Sequence, residues 1–380
     1  MPEVSYLKDF RNKFNARIKE ILLLLLISLS QSSCVAFDSR KDYEACQPGA
    51  LVVDTFRSLP NNNIKEIYTK VLAGVWLTRN SYLLKVNKDM FVSRLMSLFD
   101  QDPDMAYRVL EDLLILIYAD HGSMVSTLFS KISSSNCLFT EDLKQAVSSL
   151  SYSYRVDGNK RELFISLDLD PQVIIDILNK EIYANVKVVN FSFQVGHLQF
   201  KVVESIDDKG ESRVVFSPVP PYDENNLKGK ENLLSLVKIA HSVPEKLIIA
   251  ASGNLGDNFY NIKRDLQESN QWPDNLLIVT DLPDFVNPEI EAGADIAVAV
   301  SSFGAPSSSS FATVIVSAIV DVLFANNPDL SFEEIIKLLK QDLSSGYLLV
   351  SYGNGSFHNP LYVLPIISHT DKISDLLNNY

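Results

Sequence analysis

The stretch LIIAASGN, residues 247–254, decides the class of fold. Its first five residues are apolar without interruption, and a Ser-Gly-Asn turn ends the run. A strand that is apolar on both faces is typical of a parallel sheet covered by helices on both sides. Similar runs occur at 50–53, 276–280 and 296–300, and residues 188–193 read as a mostly buried strand. Because helical patterns separate these runs, we predict an α/β fold with a mostly parallel central sheet.

The helical patterns also show where the chain is buried. Residues 311–324 are apolar almost all round, which predicts a helix in the centre of the fold. Ser331 is placed to cap the next helix, whose first turn holds Glu333 and Glu334. Residues 203–231 are polar and rich in Gly, Pro, Asn and Asp, so we predict an inserted surface loop or hairpin there. We predict one domain over residues 34–380.

Charge and cysteine content exclude several classes of function. The chain has 380 residues, with 34 Lys and Arg against 47 Asp and Glu, a net charge of −13. Nucleic acid and anionic membranes bind basic surfaces, so this balance argues against both as partners through bulk charge. Three cysteines are too few for a disulfide scaffold. Cys46 and Cys137 either pair in an oxidising compartment or stay free thiols, and both interpretations remain open.

The first 33 residues have the pattern of a signal peptide. A segment with five basic residues precedes the unbroken apolar run Ile21–Ile27, which is shorter than the ~20 residues that span a bilayer. Small polar residues follow. The pattern predicts an exported protein that is secreted, periplasmic or envelope-associated; an amphipathic or buried first helix is the alternative. Cys34 is a candidate for lipidation, which would attach the protein to a membrane.

Polar residues follow several of the apolar runs. Asp54, His121, Ser192 and Asn254 lie at or just after the ends of such runs, and Ser310 opens the buried helix. In open α/β sheets, sites form at the carboxyl ends of the strands. Asp, His and Ser are the components of a nucleophilic triad, in which His takes the Ser proton and Asp orients the imidazole. An Asn beside them can donate a hydrogen bond to an oxyanion.

Each of these residues also has a structural interpretation. Asp54 could cap a helix or begin a turn, and Ser310 could be an N-cap. His121 could be structural, and Asn254 could be an ordinary turn residue. The catalytic hypothesis therefore depends on the whole set. The remaining histidines (His197, His241, His358 and His369) have no metal-ligand spacing and are interpreted as structural or surface residues.

The sequences around these residues resemble those of the subtilisin-like serine proteases, the subtilases. The chain order Asp, His, Ser is also that of the family. Five segments, within a resemblance that spans about residues 50–365, are similar to family segments in the same order: LVVDT (51–55) to the aspartate strand, HGSMV (121–125) to the start of the histidine helix, VVNFSF (188–193) to the substrate-binding strand, IIAASGN (248–254) to the oxyanion strand and turn, and SSSFAT (308–313) to the segment of the nucleophile.

The resemblance implies a three-layer, subtilisin-like fold and a serine endopeptidase that acts on protein or peptide substrates. It implies a catalytic triad of Asp54, His121 and Ser310, with Asn254 and the backbone N–H of Ser310 as oxyanion donors. No cofactor is implied; the family often binds calcium in loops, but no acidic loop motif places such a site here. The implied substrate-binding residues are Ser192, Phe193, Gln194, Ala251, Ser252 and Gly253.

The chain also departs from the family's pattern. Phe56 and Ser308 stand where the family has Gly, Met124 replaces a second His, and Val314 replaces a Pro. These departures keep an alternative function open: a catalytically inactive pseudoprotease that binds a protein partner through the cleft or through the 203–231 insertion.

Overall fold

The apolar runs of the sequence form strands of one central sheet in the computed structural model. This sheet has eight strands in the order β11-β12-β10-β9-β8-β5-β1-β2, and its neighbouring strands are parallel except for the pair β11–β12. The described strands, in chain order, are β1 (Gly49–Asp54), β2 (Leu138–Asp142), β3 (Val147–Asp157), β4 (Lys160–Leu169), β5 (Val186–Phe191), β6 (His197–Ile206), β7 (Ser212–Pro218), β8 (Leu247–Ala251), β9 (Leu276–Asp281), β10 (Ile296–Val298), β11 (Gly346–Ser351) and β12 (Leu361–Ile367).

The structure describes residues 49–54, 95–133, 138–193, 195–206, 212–218, 227–253, 259–282, 293–305, 308–351 and 361–378. All of them belong to one compact unit, Cys46–Tyr380. The predicted signal peptide and all three cysteines lie outside the described residues, so the predictions about them stay predictions.

Helices cover both faces of the central sheet, which confirms the predicted α/β class and makes the fold a three-layer sandwich. One core packs the sheet against α1, α5, α6 and α7, and the other packs it against α2, α3 and α4. The described helices are α1 (Pro103–Ile132), α2 (Pro171–Leu178), α3 (Leu227–Ser242), α4 (Tyr260–Glu268), α5 (Ser309–Asn326), α6 (Phe332–Lys337) and α7 (Asp371–Asn378).

The helix predicted at the centre of the fold is α5. Its residues 309–324 are all buried, and each buried Val, Ile or Phe side chain contributes about 1.5–3 kcal/mol. Among the described residues, α5 is the helix long and apolar enough to cross a membrane, a test that buried core helices also pass, and 89% of it is buried inside the fold. The next helix, α6, begins as predicted: Ser331 caps it and forms a reciprocal capping box with Glu334.

A second sheet of four antiparallel strands, β3-β4-β6-β7, was not predicted. β6 and β7 pair as a hairpin, and this hairpin overlaps the segment 203–231. Aromatic stacking joins the sheet to the chain around α1: the rings of Tyr107 and Tyr152 lie 4.7 Å apart, and those of Phe99 and Tyr154 lie 4.9 Å apart. β3 follows β2, and β6 follows β5, so the second sheet adjoins the carboxyl ends of central strands.

Candidate functional site

Three neighbouring strands end together at one edge of the central sheet. In the register of β1, β5 and β8, Val53 pairs with Phe191 and Phe191 pairs with Ala250. The next residues, Asp54, Ser192 and Ala251, therefore stand side by side at the carboxyl edge. This is where open α/β sheets place their sites.

Asp54 and His121 form a partly buried carboxylate–imidazole pair at this edge. The Nδ1 atom of His121 lies 2.9 Å from Oδ2 and 3.2 Å from Oδ1 of Asp54. The Asp54 side chain is 2% exposed and that of His121 is 26% exposed. A buried carboxylate on Nδ1 selects the tautomer that leaves Nε2 as a proton acceptor. The pair therefore has the arrangement of a base and its orienting acid.

His121 does not lie at the start of a helix, which the resemblance had implied. It lies in the second half of α1, which begins at Pro103 behind the N-cap Asp102 and continues to Ile132. The apolar run before His121, residues 113–118, is therefore an earlier part of the same helix. Val125 and Phe129, one and two turns after His121, pack in the core shared with α5, so the imidazole is carried by a helix that is held on the core.

Ser310 lies in the first turn of α5. The side chain of Ser308 is the N-cap and accepts a hydrogen bond from the Ser310 backbone N–H at 3.2 Å. The interpretation of Ser310 as an N-cap is therefore wrong. The ring of Phe311, the next residue, lies 6.4 Å from the His121 ring, so the first turn of α5 faces the part of α1 that carries His121.

The hydroxyl of Ser310 is bonded to the end of β5. It donates to the backbone oxygen of Ser192 at 2.8 Å, and within the described residues no hydrogen bond joins it to His121. Its backbone N–H, expected to stabilise an oxyanion, donates instead to Ser308. The three residues of the predicted triad thus lie on elements that pack together in one core, but both donors of Ser310 have internal partners.

The residues expected to bind substrate have different surroundings. The Phe193 ring packs 5.2 Å from that of Phe191 and joins the core formed with α2, α3 and α4. Ser252 is fully buried, and its hydroxyl has no hydrogen-bond partner among the described residues. Gly253 has a φ of +120°, which favours glycine. Gln194 and Asn254 lie outside the described residues.

Sequence reasoning missed two buried polar residues beside the site. Asn190 lies within the apolar run of β5, and Ser317 lies within α5. The Nδ2 atom of Asn190 donates to Ser317 Oγ at 3.1 Å, and its Oδ1 accepts from Ser192 Oγ at 2.6 Å. A polar residue inside an otherwise mostly apolar strand or helix was the signal that could have found them, because such residues need buried partners.

A second Asp-His pair lies on the four-stranded sheet. Asp168 Oδ1 is 2.5 Å from His197 Nδ1, and Asp168 Oδ2 accepts from Ser149 at 2.5 Å. Burial raises the pKa of Asp168, but the hydrogen bonds from Ser149 and His197 outweigh it and lower that pKa. Ser166 Oγ lies at nearly equal distances from the two nitrogens of His197, 3.3 and 3.5 Å. That position is not aligned with the Nε2 lone pair, so these residues do not form a triad.

In the part of the chain that the structure describes, no group of three or more His, Cys, Asp or Glu side chains is placed to hold a metal ion. No model of a known protein family matches the sequence, and a search of curated proteins finds no significant match.

Proposed function

We propose that the protein is a serine endopeptidase that cleaves peptide bonds with Asp54, His121 and Ser310. The observation that carries this proposal is the Asp54–His121 pair, at 2.9 Å, beside a buried serine at the start of α5. The three residues come from a strand end, a core-packed helix and a helix start. These elements meet at the edge of the sheet where sites form.

The proposed reaction begins with attack of Ser310 Oγ on the carbonyl carbon of the substrate. His121 Nε2 takes the serine proton as the C–O bond forms, and Asp54 stabilises the resulting imidazolium. His121 then gives the proton to the leaving amine as the C–N bond breaks. Water hydrolyses the acyl-enzyme by the same steps in reverse order. Only the neutral imidazole of His121 can accept the serine proton.

Before attack, the Ser310 hydroxyl must leave the backbone oxygen of Ser192 and turn towards His121. Catalytic hydrogen bonds are often long or misaligned without substrate and form only in the complex. An extended peptide that pairs with the chain at residues 192–194 and 251–253 would supply the binding free energy for this change. We place Asn254 as the side-chain donor to the oxyanion that forms.

The same observations favour one alternative, a pseudoprotease that binds a protein partner. Both the hydroxyl and the N–H of Ser310 donate to internal acceptors, which would suit a protein that no longer performs the reaction. A fluorophosphonate probe distinguishes the two functions. We expect labelling of the folded wild-type protein that is lost in Ser310→Ala. Folded protein that resists the probe and cleaves no peptide would refute the endopeptidase.

We also propose that the protein is exported, with residues 1–33 removed and with Cys34 as a candidate for membrane attachment. The support is the charge and apolar pattern of that segment. Sequencing the N-terminus of protein from its native cell tests this, and an intact Met1 on cytosolic protein would contradict it.

A further inference from the structure

A chain of buried hydrogen bonds connects the middle of α5 with its start by way of β5. Its four side chains are Asn190, Ser192, Ser310 and Ser317, each at most 7% exposed. Asn190 and Ser317 belong to neither the proposed triad nor the proposed substrate-binding residues. They lie on separate elements that pack against each other in the core of the fold.

The amide of Asn190 is the centre of this chain. Its Nδ2 donates to Ser317 Oγ at 3.1 Å, and Ser317 in turn donates to the backbone oxygen of Thr313 at 2.8 Å. Its Oδ1 accepts from Ser192 Oγ at 2.6 Å. Both ends of the amide are therefore engaged. Ser192 Oγ lies closer to the amide oxygen, at 2.6 Å, than to its other acceptor, the backbone oxygen of Ser310 at 3.3 Å.

Packing alone does not explain an amide at this position. Asn190 pairs in register with Val52 on β1 and with Ile249 on β8, and both of these side chains belong to the apolar core against α5. An apolar residue would fill the same space without needing two buried partners. The amide therefore provides something that a core side chain cannot, namely a defined direction for the hydroxyl of Ser192.

The orientation of the Ser192 hydroxyl matters because Ser192 contacts Ser310. The sheet pairing of β5 ends at Phe191, so no strand partner fixes the conformation of Ser192. Its backbone oxygen nevertheless holds the Ser310 hydroxyl at 2.8 Å. In the proposed reaction this hydrogen bond breaks before attack, but it sets the position from which the Ser310 hydroxyl turns towards His121. A shift of Ser192 would therefore displace the nucleophile at its starting point.

We infer that Asn190 and Ser317 are positioning residues that fix Ser192 and, through its carbonyl group, the nucleophile Ser310. This inference rests on the proposed hydrolase function. Without the amide, Ser192 Oγ has the backbone oxygen of Ser310 as its nearest other acceptor, at 3.3 Å. A turn of the Ser192 side chain in that direction would disturb the segment that holds Ser310.

The test is the rate constant of fluorophosphonate labelling, measured per folded molecule. We expect Asn190→Ala and Ser317→Ala to lower it by about 10- to 100-fold, the size of effect that a misplacement of about 1 Å produces. Ser317→Thr keeps a hydroxyl that bonds the same backbone oxygen and should restore the rate to within about threefold. The pH at half-maximal rate should not change, because the Asp54–His121 pair is untouched.

Asn275→Ala is the matched control. Asn275 is also a buried amide, and its Nδ2 donates to the backbone oxygens of Ala240, Val243 and Lys246. It immediately precedes β9, at the opposite edge of the sheet from the site. We expect this variant to lose stability but to keep the wild-type labelling rate in its folded fraction.

The outcomes separate the two proposals. If the wild-type protein is neither labelled nor able to cleave peptides, the hydrolase function and the positioning role fall together. If the wild type is labelled and Asn190→Ala reacts at the same rate per folded molecule, only the positioning role is overturned. If Asn190→Ala does not fold, the comparison of Ser317→Ala with Ser317→Thr decides, and equal rates in that pair overturn the role.

Discussion

At the scale of single residues, the carboxylate of Asp54 controls which nitrogen of His121 can accept a proton. The two side chains lie 67 positions apart in sequence and 2.9 Å apart in space. An amide at position 54 would fill the same volume. The amide can turn its N–H towards Nδ1, and Nδ1 then becomes the acceptor. The proton would move to Nε2, which is the tautomer that cannot accept the serine proton.

We therefore expect Asp54→Asn to keep the fold and to lose most of the activity. The expected loss in turnover is about 10⁴, the value for the same change in another Asp-His-Ser triad. Peptide hydrolysis and far-UV circular dichroism, measured on the same preparation, check this. Wild-type turnover in folded Asp54→Asn protein would remove the pair from the mechanism.

Ser308 presents a conflict between stability and activity. Its hydroxyl caps α5 by accepting the N–H of Ser310, which is the N–H that the oxyanion would need. Gly substitutes for Ser at an N-cap at a cost of only a few tenths of a kcal/mol. The competing hydrogen bond to Ser308 contributes about 1 kcal/mol. Without it, the Ser310 N–H is available to the oxyanion.

We expect Ser308→Gly to increase kcat about three- to tenfold, as the loss of that competing hydrogen bond predicts, while the melting temperature falls slightly. Ser331→Gly, which alters the N-cap of α6 away from the site, is the control for the loss of a cap alone. A kcat that stays the same or falls in Ser308→Gly would show that the Ser310 N–H takes no part in the reaction.

At the scale of elements, the central sheet could be predicted because its strands are apolar on both faces. β5 and β8 both lie in predicted apolar runs, and they pair in parallel, as a mostly parallel sheet requires. The second sheet was missed although β3 alternates Leu150, Tyr152 and Tyr154 with serines, the pattern of a half-buried strand. The sequence could not show what the second sheet packs against. Its Tyr152 stacks on Tyr107, 45 positions earlier in the chain.

Some features of the candidate site could likewise be predicted from the sequence, and others could not. The order Asp54, His121, Ser310 could be taken from the local sequences, because each residue lies in a short recognisable segment. The internal partners of Ser310 could not, since they depend on side-chain rotamers at the meeting of α5 and β5. The position of His121 inside a helix was also missed, because a buried helix and a buried strand share the same short apolar run.

The connection between the two sheets depends on Gly196, just before β6. Its φ is +96°, and a Cβ there would collide with the side-chain oxygen of Asn232. That oxygen accepts from the His197 N–H, and Asn232 Nδ2 donates to the His197 backbone oxygen, both at 2.7 Å. Asn232 thereby holds the start of β6 on α3.

We expect Gly196→Ala to lower the free energy of unfolding by about 3 kcal/mol or more, from backbone strain and the disturbed hydrogen bonds. Gly158→Ala is the control, because Gly158 also has a positive φ, +56°, but a Cβ added there would lie in open space. It should lose only about 1–2 kcal/mol. Equal losses in urea unfolding would show that the Asn232 contact contributes nothing.

At the scale of the whole molecule, one buried carboxylate ties together three parts of the fold. Asp295 precedes β10, and its Oδ1 lies 2.7 Å from Lys263 Nζ of α4 and 3.2 Å from Lys340 Nζ. Its Oδ2 accepts from the backbone N–H of Ile278 in β9 at 2.9 Å. Burial alone would raise the pKa of Asp295, but the two lysine charges and this N–H outweigh burial and lower it.

The lowered pKa makes a defined contribution to the acid stability of the protein. The stabilisation is fully present above the ordinary Asp value of about 3.9 and is lost as the pH falls through the lower pKa of the folded state. We expect Asp295→Asn to lower the free energy of unfolding at neutral pH by about 3–5 kcal/mol, because Lys263 then stays buried beside a neutral partner. This difference from the wild type should shrink below about pH 4, where the wild-type carboxylate also becomes neutral.

Urea unfolding of both proteins from about pH 3 to about pH 7 measures this difference. Asp168→Asn is the control, because the Asp168 carboxylate is 42% exposed and should matter less. A difference that stays constant over this range would mean that the Asp295 carboxylate titrates alike in the folded and unfolded chains.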